Sequence, residues 1–137
     1  ENYQLTNYLA MDKTTGQVYS MWDGDLVWKK LGDPIDPSGK SDFDFNAYFS
    51  SKYELTNFHA LDTKTGQVYS MWDNDGKWKK IGSPSDPAGT GNYKLSSFYS
   101  TKYELTNFHI IDTKTGQIQS MWDNDGIWKK IGNPITQ

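Results

Sequence analysis

The stretch YELTNFHALDTKTGQVYSMWDNDGKWKKIG, residues 53–82, decides the fold. Its first part sets Tyr53, Leu55, Asn57, His59 and Leu61 against Glu54, Thr56, Phe58 and Ala60, a period of two that predicts a β-strand. DTKTG at 62–66 then reads as a hairpin loop. Asp62 caps its own turn through the carboxylate, and Gly66 supplies the left-handed residue of a bulged type I turn. QVYSMWD is the return strand, with Val68, Ser70 and Trp72 on one face and Tyr69 and Met71 on the other. DNDG at 73–76 makes a second hairpin loop, KWKKIG a third strand, and Pro84 closes the block.

The same block occurs three times, at 3–34, 53–84 and 103–134, opened by Tyr3, Tyr53 and Tyr103 at a spacing of 50 residues without gaps. The second and third copies differ at six of 32 positions, so the chain is an internal-repeat protein before it is anything else. Connectors at 35–52 and 85–102 open with turn formers (IDPSGKSD, SDPAGTGN) and finish in aromatic-rich runs (FDFNAYFSSK, YKLSSFYSTK). Phe43 and Phe45 alternate in the first run, which predicts one more strand leading into the next block. The first block has no preceding connector, so eleven strands are expected, with the first unit one short. That shortfall reads either as a truncated array or as an edge open to a partner strand.

The expected fold is therefore all-β: one repeat domain over residues 1–137, built of three tandem antiparallel units of three or four strands. Gly and Pro recur too often for helices, and no window carries a 3.6-residue apolar period. Closure stays open between a β-trefoil, a propeller completed by oligomerisation and a linear array of blade-like sheets.

Composition narrows the partners. The chain has 137 residues, 14 lysines, no arginine and 17 acidic residues, for a net charge of −3. Nucleic acid is not expected, since phosphate recognition wants a dense basic surface. No apolar run reaches the ~20 residues of a membrane span. Without cysteine there are no disulfides or thiolate metal sites. The chain begins ENYQ without an initiating Met, as a cleaved signal peptide or trimming would leave it, and we expect a secreted or cell-surface protein. Aromatics make up 15% of residues while Leu, Ile and Val are scarce, so the core must lean on rings.

ALDTKTGQVYSMW at 60–72 resembles the repeat of PQQ-type β-propellers, an A-x-D-x-x-T-G run followed by a tryptophan. Ala60, Asp62, Thr65 and Gly66 match it, as do Ala10, Asp12, Thr15 and Gly16. The third block keeps Asp112, Thr115 and Gly116 with Ile110 in place of alanine, and the tryptophan arrives two residues late. The resemblance covers about a dozen residues per block, and implies blade-like geometry rather than a quinone cofactor.

All three blocks keep S-M-W-D-x-D-x-x-W-K-K. The candidate ligand-binding residues are Trp22, Asp23, Asp25 and Trp28; Trp72, Asp73, Asp75 and Trp78; and Trp122, Asp123, Asp125 and Trp128. Asn7, Asn57 and Asn107 on the first strands join them. Indole faces stack on a pyranose while Asp and Asn oxygens accept hydrogen bonds from its hydroxyls, and Lys79 and Lys80 suit an acidic sugar. The competing reading makes the two tryptophans a cross-strand pair that holds the hairpin. DNDG also approaches a calcium loop, but the spacing is short and no glutamate follows, so calcium is the weaker reading and no cofactor is expected. Catalysis is not expected either. His59 and His109 are replaced by Leu9 in the first block, and hairpin loops are poor places to perturb a carboxylate. Two functions follow: a multivalent lectin-like module with three equivalent sites for glycans or a cell-surface polymer, or a self-associating structural subunit of an extracellular filament or layer.

Overall fold

The structure is a computed structural model describing residues 3–6, 8–22 and 24–136, with Leu5 and Thr6 described by backbone alone. The described residues form twelve strands and no helix. β1 (Tyr3–Thr6), β2 (Leu9–Asp12), β3 (Gln17–Ser20) and β4 (Lys29–Leu31) make the first sheet. β5 (Phe43–Ser50), β6 (Leu55–Asp62), β7 (Val68–Trp72) and β8 (Lys79–Ile81) make the second. β9 (Tyr93–Ser100), β10 (Leu105–Asp112), β11 (Ile118–Trp122) and β12 (Lys129–Ile131) make the third. Each sheet is an antiparallel meander in chain order, and each ends on two strands paired on one side only. The sheets do not close on one another into a barrel, so the trefoil alternative is not realised.

The expected total of eleven strands is corrected to twelve. In the second and third copies the connector supplies the outer strand, β5 or β9, and the chain turns through left-handed Glu54 (φ 55°) or Glu104 (φ 56°) into β6 or β10. The first block has no connector, so its own leading residues fold back instead. β1 pairs with β2 in the register Tyr3↔Asp12 and Leu5↔Ala10, the register in which Tyr93 faces Asp112 and Leu95 faces Ile110. YQL at 3–5 thus stands in for YKL at 93–95. The reversal at Tyr8 is tight, with φ 63°. KWKKIG also contributes a shorter strand than expected, starting only at Lys79 or Lys129.

Hairpin chemistry follows the sequence. The amide of Gly66 donates to the carbonyl of Asp62 (2.8 Å), Gly66 has φ 78°, and the Asp62 carboxylate accepts from the amide of Lys64 (3.0 Å).

The chain divides into two compact units, residues 1–60 with 69–79 and residues 61–68 with 80–137. The first unit has a core of Met11, Val18, Phe43, Phe45, Phe58, Ala60 and Met71, with Leu9, Leu31, Ile35, Ala47, Tyr69 and Trp78 packed against it. In it Phe45 stacks on Phe58 (6.1 Å between centroids) and Phe43 meets Tyr69 edge-on (6.1 Å). A side-chain amide ties β1 to β5 there. Gln4 Oε1 accepts from the amide of Phe45 (3.0 Å) and Gln4 Nε2 donates back to its carbonyl (3.2 Å), copying a strand pair. The second unit has a core of Leu61, Val68, Tyr93, Phe108, Ile110 and Met121, flanked by Ile81, Leu95 and Trp128. The alternation of β6 serves both: Phe58 and Ala60 enter the first core, Leu61 the second.

Candidate functional site

The loop after each second hairpin strand is held by its own carboxylates. The amides of Asp75 and Gly76 donate to the carbonyl of Trp72 (3.2 and 3.0 Å). Asp75 accepts from the amide of Lys77 (3.2 Å) and pairs with Lys79 Nζ (3.5 Å). The backbone bond first, and the lysine after it, hold its carboxyl below the usual range. Asp25 repeats this with the amide of Val27 (3.2 Å) and Lys29 (3.2 Å), and its carboxyl is likewise lowered. Asp125 makes the same two contacts, with the amide of Ile127 (3.2 Å) and with Lys129 Nζ (3.6 Å).

The other carboxylate of each pair turns elsewhere. Asp73 donates its amide to the carbonyl of Thr56 (3.0 Å) and accepts from the amide of Thr56 (3.2 Å), leaving Oδ1 buried without a partner. Asp123 makes the same exchange with Thr106 (3.0 and 3.1 Å), and burial pushes its carboxyl up. Within each pair the two carboxylates are thus held by different backbone segments.

The two tryptophans of each copy also separate. Trp78 packs on the first core and Trp128 on the second, each with a buried Nε1 that has no hydrogen-bond acceptor. Their counterpart Trp28 is 43% exposed. Trp72 lies edge-on to exposed Tyr53 (5.9 Å), and Lys52 Nζ sits 5.3 Å above that tyrosine ring. Trp122, Tyr103 and Lys102 repeat the arrangement at 5.8 and 5.2 Å. Trp22 is 73% exposed. Asn57 is buried, its Nδ2 donating to Ser70 Oγ (3.0 Å) and the carbonyl of Met71 (3.1 Å), and Asn107 does the same with Ser120 and Met121 (both 3.1 Å). Asn7 and Asp23 lie outside the described residues.

Two features escaped the sequence reading. Gln17, Gln67 and Gln117 each cap the last strand of their sheet. Gln67 Nε2 donates to the carbonyls of Val68 (3.0 Å), Ile81 (3.3 Å) and Gly82 (3.1 Å). The signal is T-G-Q, present in every block, whose glutamine reads from the sequence only as the first residue of the return strand. The second is an open cleft of about 800 Å³ in the first unit, lined among others by Tyr8, Met21, Trp22, Tyr48, Phe49, Glu54 and Asp73. Its rings come from a block and a connector that are distant in sequence, so no local motif marks it.

Among the described residues no group of three or more His, Asp or Glu side chains is placed to hold a metal ion. His59 is fully buried, its Nε2 2.7 Å from Asn57 Oδ1 and its ring 5.6 Å from that of Tyr48. Burial pushes it down to about 3. The enclosed imidazole is thus packed within the strand's own neighbours. Compared with models of protein families, with curated proteins and with solved structures, the chain has no match.

Proposed function

We propose that the chain is a non-enzymatic structural subunit that assembles with copies of itself through its sheet faces, as in an extracellular filament or layer. One observation carries this reading. Ile111, Ile118, Ile131 and Ile135 on the third block are 36%, 42%, 53% and 84% exposed, whereas Met11 and Val18 of the first block and Leu61 and Val68 of the second, at the repeat positions of Ile111 and Ile118, are fully buried. A β-face carrying Ile111, Ile118 and Ile131, extended by Ile135 beyond the last strand and left to water, favours association. The commitment of Asp25, Asp75, Trp78 and Asn57 to loops and core supports it, since those side chains are occupied in holding the repeat together. Static light scattering over a concentration series, with negative-stain microscopy, tests the proposal. Growth of the mass above 15.7 kDa towards extended particles is expected, and a mass fixed at one chain into the millimolar range rejects it.

A second reading, glycan binding, is favoured by the cleft around Trp22, where an exposed indole stands with Tyr8, Glu54 and Asp73. It predicts that Trp22→Ala abolishes retention on a glycan array with the fold intact. Equal retention by the variant removes this reading.

A further inference from the structure

Consecutive blocks are joined by one residue set used twice. In the first unit Met11, Val18 and Leu31 of the first block, with Ile35 directly after it, share a core with Phe43, Phe45, Phe58, Ala60, Met71 and Trp78. Fifty residues on, in the second unit, Leu61, Val68 and Ile81 share a core with Tyr93, Leu95, Phe108, Ile110, Met121 and Trp128. One block therefore offers an aliphatic face, and the next block with its connector strand offers an aromatic and methionine face that covers it. The rim of each joint is a glycine pair. The amide of Asp33 donates to the carbonyl of Gly76 (3.3 Å) and that of Ser83 to the carbonyl of Gly126 (3.3 Å). The approach is close enough that a Cβ on Gly32 would stand 2.6 Å from the Gly76 oxygen, and one on Gly82 2.5 Å from the Gly126 oxygen.

The third block keeps every element of the aliphatic side. Ile111, Ile118, Ile131 and Ile135 occupy its positions and Gly132 its rim, and a Cβ on Gly132 would meet nothing within 4 Å. An open depression of about 370 Å³ runs over this face past Lys94, Ser96, His109, Ile111 and Ile118. The first block keeps the other side. Ala10 and Trp28 stand at the repeat positions of Ala60 and Trp78, and β1 places Tyr3 in the register of Tyr93, while Tyr8 and Met21, at the repeat positions of Phe58 and Met71, line the cleft described above. Tyr3 and Trp28 are exposed.

We propose that copies of this chain join head to tail, the third sheet of one copy packing on the first sheet of the next through the same residues that join successive blocks within a chain. The inference rests on the assembly reading and names its joint. Because the two faces differ, the contact is heterologous and propagates instead of closing as a pair. Leu26 sets its strength. It holds the left-handed backbone of Gly76 and Gly126 (φ 59° against 65° and 65°) but carries a side chain where they have none. A Cβ on Gly76 would lie 3.1 Å from Gly32 Cα, so at the intermolecular joint Leu26 crowds the incoming Gly132, and that joint is weaker than the two within the chain.

The test is light scattering on Ile118→Lys, Trp28→Lys and their equimolar mixture, with far-UV circular dichroism to establish that each is folded. Ile135→Lys and Tyr3→Lys at more exposed positions replace any variant that loses its β spectrum. Each variant alone should stay at 15.7 kDa. The mixture should give a species of about twice that mass and nothing larger, because the intact first sheet of one variant accepts the intact third sheet of the other. Assembly of Trp28→Lys to wild-type size would overturn the inference, showing that third sheets pair with each other while the broader assembly reading survives. A mixture that stays monomeric would overturn it too. Wild-type chain that never exceeds one chain mass removes both. Leu26→Gly should lower the dissociation constant about tenfold, and an unchanged constant takes Leu26 out of the joint.

Discussion

His59 shows how one buried side chain sets a condition on the whole fold. Asn57 Nδ2 is engaged with Ser70 and Met71, so Asn57 Oδ1 is the acceptor and His59 Nε2 carries the proton donated to it. Burial disfavours the charged ring and holds it at about 3 against an ordinary 6.5, so it is neutral in the fold near pH 7. As pH falls below 6.5 the unfolded chain takes up a proton that the folded chain refuses. Stability is complete above that pH and is lost progressively towards 3, at about 1.4 kcal/mol per pH unit. Between pH 7 and pH 5 the loss is about 2 kcal/mol. His59→Leu, which installs the residue that the first block carries as Leu9, leaves the Asn57 oxygen without its donor and should cost about 1–3 kcal/mol at pH 7. In exchange it should flatten the slope between pH 7 and pH 5 in urea-denaturation midpoints. The same slope in variant and wild type would place the acid sensitivity elsewhere.

At the scale of the element, glycines at equivalent places do unequal work. Gly82 and Gly132 both have φ 68°, so an alanine at either meets the same backbone penalty of about 1–2 kcal/mol. Only Gly82 faces a neighbour, with the Gly126 oxygen 2.5 Å and its Cα 2.8 Å from an added Cβ. Gly82→Ala should therefore lose at least ~2 kcal/mol more than Gly132→Ala in thermal or urea unfolding, and equal losses would mean that the close approach is not made. The strands themselves were legible because period-two alternation and D-x-x-T-G turns are local signals, and so was the repeat, which is written out three times. β1 was missed because Tyr3–Thr6 spells the same letters as 53–56, nearly residue for residue, yet takes a different role once no connector strand precedes it. The candidate site was legible as a retained motif but not as a set of jobs. Which of Trp72 and Trp78 packs on a core depends on a cluster drawn from as far back as Met11 and Val18 in the first block, and no local spacing encodes that choice.

For the molecule as a whole, repetition leaves a face at each end of the series of blocks without the neighbour that covers it inside. Each internal joint buries methionine, valine and aromatic side chains that no single four-stranded sheet encloses alone. Ile111 and Ile118 of the third block are as aliphatic as the Leu61 and Val68 they replace, so the centre of this face is apolar, with Lys94 at its β9 rim. Association through it draws chains out of the unfolded pool by mass action, and stability then depends on concentration. Once the chain is above its dissociation constant, each tenfold rise in concentration adds about 1.4 kcal/mol. For a chain of this length that is a rise in Tm of about 3–6 °C. Scanning calorimetry across two decades of concentration should record that climb for the wild type and a flat Tm for Ile118→Lys. If both rise together, the contact that stabilises the chain does not include the third sheet. If both stay flat, the isoleucine face is uncovered in solution as it is in the single chain.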